Sequence, residues 1–346
     1  MAANSCEMLL PQPSDMHVHL RDGEMLGLTV PATARYFCRA MVMPNLASPL
    51  RTAEEILAYR ERILLALPEG LTFEPLMTLY LTSETSPDDL VLAAEAGVTA
   101  AKLYPRGVTT QSEEGVLDLE AMEDLFEAME ALSMPLLVHA EDPFADPFDR
   151  ERVFIENALL PLSQRFLRLK IVLEHVSSRE GVEFVLQSRE GIAATITPQH
   201  LLFSRGALFH GGMQPHRFCM PVYKGEEDRL ALLQAATSGL PRFFLGTDSA
   251  PHPKGQKESP LVPPGVFSAP AALPIIAQLF AEADALDKLP GFVSDFGADF
   301  YNLPRSEKAL LLVPSSWKVP GVYRHGKNTV IPLWAGETLF FRATRL

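Results

Sequence analysis

The sequence predicts an α/β protein of the TIM (β/α)8 barrel class. Three observations lead there. A short apolar run, a polar residue at its C-terminal end and a helical stretch recur along the chain; the recurrence comes eight times; and His, Lys and Asp residues gather at the ends of those runs. Alternating strands and helices imply a parallel sheet, and eight units suit a closed barrel whose strand ends converge on one mouth. The alternative is an open doubly wound sheet. Its GxGxxG fingerprint is absent here, which weighs against it without excluding it.

The predicted strands are 14–19, 39–45, 74–81, 100–105, 135–141, 170–176, 193–200 and 242–249. Between them, apolar residues at three- and four-residue spacing predict helices over 53–66, 87–96, 119–132 and 228–237. Pro87-Asp88-Asp89 suits a helix start, where proline and acidic groups are favoured. Beyond Asp248 a helix is expected near 269–283, a further segment near 292–301, and then a proline-rich tail with short strand-like pieces. About a dozen residues precede the first strand, leaving little room for a flanking β-domain split between the two ends. The expected organisation is a single domain over 1–346 with a C-terminal extension at about 305–346.

Composition excludes several function classes. Apolar residues make up 47% of the chain, enough for a large core, yet no run approaches the ~20 apolar residues of a membrane span. The net charge of −13 argues against binding nucleic acid, which needs a basic surface. An anionic substrate would need a locally positive site. Cys6, Cys38 and Cys219 are scattered with no CxxC pair, so no disulfide framework is expected and a reducing cytoplasm fits. Residues 1–7 show neither the basic region nor the apolar core of a targeting peptide.

The candidate site residues sit at strand ends. His17 and His19 are one residue apart, so on a strand both imidazoles face one way and suit a shared metal; two polar residues on a solvated strand have the same spacing. Arg21 follows just beyond, where its fork suits a bidentate grip on a carboxylate or a surface ion pair. Lys102 lies at the inner end of Thr99-Ala100-Ala101-Lys102-Leu103, where a buried ammonium is costly unless paired or altered. It either snorkels outward or is carbamylated by CO2: an ammonium repels two dications, whereas a carbamate offers two anionic oxygens to bridge them. His139 and His175 each stand alone at a strand end. Singly, each fits a hydrogen-bonded structural histidine; opposite the HxH pair, the two together fit a metal site. Asp248 ends the eighth strand beside the first, as a helix N-cap or as a ligand to the first metal and its water.

Six segments then carry a resemblance along nearly the whole chain. They are Asp-Met-His-Val-His-Leu-Arg-Asp-Gly at 15–23, Val-Met-Pro-Asn-Leu at 42–46, Ala-Ala-Lys-Leu-Tyr-Pro at 100–105, Pro-Leu-Leu-Val-His at 135–139, Ala-Thr-Ile-Thr-Pro-Gln-His at 194–200 and Leu-Gly-Thr-Asp-Ser-Ala-Pro-His at 245–252. The sequence resembles the dihydroorotases, and among these metal-dependent amidohydrolases the shorter bacterial type without a flanking β-sandwich. The resemblance implies two zinc ions per chain, one held by His17, His19 and Asp248, the other by His139 and His175. Lys102, carbamylated to N6-carboxylysine, and a hydroxide would bridge them. The implied reaction is the reversible hydrolysis of L-dihydroorotate to N-carbamoyl-L-aspartate in pyrimidine (UMP) biosynthesis, with Asp248 as general base and then acid. Arg21, Asn45 and His252 would hold the substrate carboxylate, with His19 and His139 also facing the substrate. Thr109 and Thr110 would touch it from a closing loop at 105–115, which otherwise reads as a plain βα-loop. Met220 would touch the ring through its backbone, or else simply pack in the core. A cytoplasmic homodimer is implied.

Two departures stand out. Pro264 occupies a position where relatives offer a small residue to the substrate carboxylate, and proline has no N–H to donate; that contact is then lost or moved to Gly265. The stretch 255–264 also lacks the Cys-rich look of relatives. His200 reads as the end of the seventh strand and stays outside the site, as do His210, His216 and His325. Two other readings remain. A hydantoinase or allantoinase would not need the Arg21/Asn45/His252 set. An inactive dihydroorotase-like scaffold would be expected to lose metal ligands, and all six are present.

Overall fold

The computed structural model describes residues 7–346; the readings of residues 1–6, including Cys6, lie outside them. Strand β1 (Met8–Pro11) precedes eight consecutive parallel strands: β2 (Ser14–Val18), β3 (Arg39–Val42), β4 (Glu74–Tyr80), β5 (Ala100–Leu103), β6 (Leu136–Val138), β7 (Ile171–Leu173), β8 (Ile192–Ile196) and β9 (Phe243–Leu245). They pair in sequence order, and a parallel bridge between Val18 and Ser249 joins last to first. The result is the expected TIM barrel. Nearly every residue of these strands is buried, as parallel barrel strands covered on both faces are.

Side-chain alternation stacks the barrel interior into layers. Met16, Met41, Leu76, Ala100, Leu137, Val172, Ala193 and Phe244 form an apolar plug, against which Phe296, Phe300 and Tyr301 pack. Two residues further along their strands stand Lys102, His139, Glu174 and Thr195, one polar layer nearer the mouth. A register irregularity between Asp15 and Val18 lets Met16 join the plug while His17 joins the polar layer.

The predicted helices form at Ala53–Leu65, Pro87–Glu95, Glu123–Leu132, Glu226–Thr237 and Ala272–Glu282. Thr52 with Glu55, and Ser86 with Asp89, make reciprocal capping boxes at the first two. Helical segments that sequence spacing did not signal are Leu26–Ala34, Arg150–Arg165 and Arg179–Gln187. The first carries Pro31 and is apolar all round, the second is interrupted by a π-turn and Pro161, and the third has Gly181 in its first turn. His200 is not at a strand end: β8 stops at Ile196, and His200 lies in the short helix Pro198–Leu202 capped by Thr197. Its ring meets Thr197 Oγ1 at 2.8 Å and the Pro221 carbonyl at 3.0 Å. No helix among the described residues is long and apolar enough to cross a membrane.

The two ends of the chain do share a flanking sheet, contrary to expectation. Strands β10 (Ala309–Lys318) and β13 (Thr338–Arg345) pair antiparallel, β1 adds on the other side of β10, and a hairpin of β11 (Tyr323–His325) and β12 (Asn328–Val330) lies between. A dozen leading residues suffice because β1 needs only four. Leu10, Leu310, Leu312, Leu339 and Phe341 are buried in the same apolar cluster as the barrel's outer wall. Leu310 sits at the centre of this sheet and is fully buried. Leu310→Ala is expected to lower unfolding free energy by about 2–5 kcal/mol in chemical denaturation; a loss near zero would show that the sheet is not part of the core.

Candidate metal centre and substrate cavity

The barrel mouth brings together residues far apart in sequence. His17, His19 and Asp248 each present a ligand atom, all within 4.8 Å of one another. His17 Nε2 lies 3.3 Å from His19 Nε2, and Asp248 Oδ1 is 3.1 Å from His19 Nε2 and 3.6 Å from His17 Nε2. The His139 and His175 ring centroids are 4.6 Å apart, and His175 is 4.9 Å from His17. Lys102 is fully buried, with Nζ 4.8 Å from the Tyr104 ring centre.

Local backbone aims these groups. His175 and Asp248 have φ of 42° and 43°, and Arg21 has φ of 61°. Non-glycine residues in the left-handed region carry strain, and it persists where surrounding contacts impose it. The His175 N–H donates to Thr195 Oγ1 at 2.6 Å and the Asp248 N–H to the His17 carbonyl at 2.8 Å, and three carboxylates that sequence reasoning missed hold the groups around them. Glu174 accepts from His17 Nδ1 at 2.7 Å and Thr195 Oγ1 at 2.5 Å. Glu141 meets His139 Nε2 at 2.7 Å. Asp15 accepts from the Thr247 N–H, the Thr247 hydroxyl and the His17 N–H. Glu174 and Glu141 fix which ring nitrogen of His17 and His139 faces inward, and Asp15 ties the His17 backbone to Thr247. Their signal was adjacency: Asp15 and Glu141 lie two residues from a ligand histidine, and Glu174 lies next to one.

The electrostatics fit a cation pair. Burial holds the His17 and His175 imidazoles well below the usual histidine range, and lowers His19 and His139 as well. All four are therefore neutral near pH 7, the form that binds metal. Burial pushes the Lys102 amine down to about 8, and the Glu174 and Asp15 carboxyls up to about 7. Lys102 Nζ and His175 Nδ1 are buried with no hydrogen-bond partner. Orphaned buried polar atoms are costly and need an explanation. A metal pair bridged by a carbamate at Lys102 fits both: the imidazole gains a cation, and the amine becomes an anionic ligand.

Above the candidate metal ligands lies a small cavity. His19, Arg21, Asn45, Thr109, Thr110, His139, His175, Met220, Asp248, Pro264 and Gly265 line it, together with Tyr104 and Ala250, which sequence reasoning left out. Arg21 donates from Nε to the Pro251 carbonyl at 3.0 Å, and its Nη2 lies 2.9 Å from His252 Nε2. His252 Nε2 also lies 2.9 Å from the Pro264 carbonyl. Arg21 only donates and that carbonyl only accepts, so Nε2 serves one at a time. The loop at 105–116 is folded over the mouth: Asn45 Nδ2 donates to the Thr110 carbonyl at 3.0 Å, and Thr110 Oγ1 to the Pro264 carbonyl at 3.3 Å. The Gly265 N–H donates to the Phe218 carbonyl at 2.9 Å, so it does not take over the donor role missing at Pro264. Pro264 contributes a carbonyl instead. A wider groove lies on the outer wall between the helices at 123–132 and 150–165, but no histidine or lysine lines it.

Residues 8–281 match the Amidohydrolase family, and the chain belongs to that family of barrel hydrolases. A dihydroorotase of Picosynechococcus sp. is 52% identical over 339 residues, covering 97% of this chain and 98% of that protein. The crystal structure of a dihydroorotase from Campylobacter jejuni superposes with a TM-score of 0.91 at 41% identity over 99% of both chains. That of the Saccharomyces cerevisiae dihydroorotase in complex with 5-fluoroorotic acid does so with a TM-score of 0.92 at 34% identity over 98% of both. Within the family the chain stands with the dihydroorotases, and it is a hydrolase of carbon–nitrogen bonds in cyclic amides.

Gly246 tests the placement of His17. A Cβ at this position would stand 2.8 Å from the Cβ atoms of both His17 and Thr195. Gly246→Ala is expected to displace His17 and weaken metal binding by roughly ten- to a hundred-fold, read by zinc titration of the metal-free protein. Unchanged affinity in a folded variant would contradict the position assigned to His17.

Proposed function

We propose that this chain is a binuclear zinc dihydroorotase that interconverts L-dihydroorotate and N-carbamoyl-L-aspartate in pyrimidine biosynthesis, working as a cytoplasmic homodimer. One observation carries the reading: candidate metal ligands and the carboxylate-reading pair Arg21 and Asn45 line a single cavity. The relative solved with 5-fluoroorotic acid, a pyrimidine carboxylate, supports the substrate class. The isolated cysteines suit a reducing compartment, and the dimer rests on family resemblance.

His17, His19 and Asp248 would hold one zinc ion, His139 and His175 the other, and carbamylated Lys102 would join them. Bound there, the two ions supply a nucleophile at neutral pH and polarise the scissile carbonyl. The chain's own residues do the rest. Arg21 keeps its charge, burial lowering it only to about 10, and its Nη1 is left for the substrate carboxylate. Asn45 retains a second Nδ2 hydrogen for the same group. His252 is held neutral by burial and by Arg21 beside it, and its one N–H, which meets the Pro264 carbonyl in the structure, would turn to the substrate carboxylate on binding. This set is the local positive site that an acidic chain needs for an anionic substrate. Asp248, beside His19 and open to the cavity, takes the proton of the attacking water and delivers it to the leaving ring nitrogen. The loop carrying Thr109 and Thr110 excludes bulk water from the mouth.

Purified protein is expected to consume L-dihydroorotate and to carry about two zinc ions per chain, measured by assay and metal analysis on one sample. Hydantoin, which lacks the carboxylate, should be a poor substrate. Inactive, metal-free protein after zinc and bicarbonate supplementation would contradict the proposal and favour a scaffold role. Preference for hydantoin would favour a hydantoinase.

A further inference from the structure

We propose that Lys257 is a positioning residue for the carboxylate end of the cavity: its ammonium ties together the two backbone segments of the far wall and aims the Pro264 carbonyl at His252 and Thr110. This rests on reading the cavity as a dihydroorotate site. Lys257 is 2% exposed. Its hydrogen bonds all go to main-chain carbonyls, Phe218 at 2.9 Å, Pro263 at 2.9 Å and Gly265 at 2.8 Å. An ammonium has three N–H donors and no acceptor, so the set is complete. No carboxylate lies within ion-pair distance among the described residues. A buried charge of this kind persists only where such a cradle offsets its lost hydration.

The location of the three carbonyls gives the cradle its role. Phe218 begins the segment that brings Met220 to the cavity, and Pro263 and Gly265 flank Pro264. The carbonyls on either side of Pro264 turn towards Lys257. That of Pro264 turns away from it, 2.9 Å from His252 Nε2 and 3.3 Å from Thr110 Oγ1. Proline has no N–H, so the carbonyl is the only backbone polar group that Pro264 offers. The Gly265 N–H bond to Phe218 closes the two segments on each other. Gly265 has φ of 140°, and a Cβ there would stand 2.2 Å from the Ala250 carbonyl oxygen, so the wall is pressed against the chain leaving β9. One carbonyl therefore anchors both a carboxylate-binding histidine and the loop over the mouth, and Lys257 sets its direction.

A lysine needed only for stability would change the amount of folded enzyme and leave KM alone. Zinc-loaded wild type and Lys257→Met are compared for dihydroorotate turnover and zinc content. The variant is expected to keep wild-type zinc and a kcat within about three-fold, with KM raised about ten-fold or more. Lys257→Gln, which keeps two N–H donors, should recover part of that rise, and it carries the test if the Met variant does not fold. Unchanged KM in a folded, zinc-replete variant overturns the proposal, as does failure of both variants to fold. Wild-type protein that binds zinc yet leaves dihydroorotate intact overturns the functional reading instead.

Discussion

Where β2 meets β9, the Asp248 N–H donates to the His17 carbonyl at 2.8 Å and the His19 N–H donates to the Ser249 carbonyl at 3.0 Å. These bonds close the barrel, and the rest of the site depends on that closure. They place a carboxylate from the last strand against two imidazoles from the first, across 230 residues of chain. Asp15 reinforces the same seam by accepting from Thr247 and from His17. Gly246 permits it, because only a residue without a Cβ lets His17 and Thr195 approach so closely. The left-handed backbone at Asp248 is the local cost of turning its carboxylate inward.

Charge balance is the second constraint. Four neutral imidazoles, an unpartnered amine and several carboxylates share one buried layer. Burial weakens the charged form of each, lowering the histidines and Lys102 and raising Glu174 and Asp15. The proposed pair of dications would reverse that preference for the acids and use the neutral imidazoles as they stand. The apolar plug beneath gives this layer a rigid floor, so ligand positions are set by strand register rather than by mobile loops.

Much of this was legible in the sequence, for identifiable reasons. A barrel strand buried on both faces is a short apolar run, and its C-terminal residue belongs to the mouth. His17, His19, Lys102, His139, His175 and Asp248 could therefore be placed at the mouth from position, while their assignment as ligands of two metal ions came from the family resemblance. The carboxylates behind them could not. Adjacency to a histidine is the one sequence signal that Glu174, Glu141 and Asp15 carry, and only the fold shows that they are buried against a histidine or a strand seam. Lys257 was invisible for the same reason, since its partners are main-chain carbonyls without a sequence signature. The helix at Leu26–Ala34 was hidden by its uniform apolarity and Pro31, and the flanking sheet by the shortness of β1.

The central claim is that the orphaned amine of Lys102 is a carbamate that joins two metal ions. Carbon-13 NMR of zinc-loaded protein prepared in labelled bicarbonate tests it most directly. A carbamate resonance is expected in the wild type and absent in Lys102→Ala, with zinc falling from about two per chain to a lower value. Full zinc occupancy and activity with no carbamate signal, or a Lys102→Ala variant that retains both, would contradict the account.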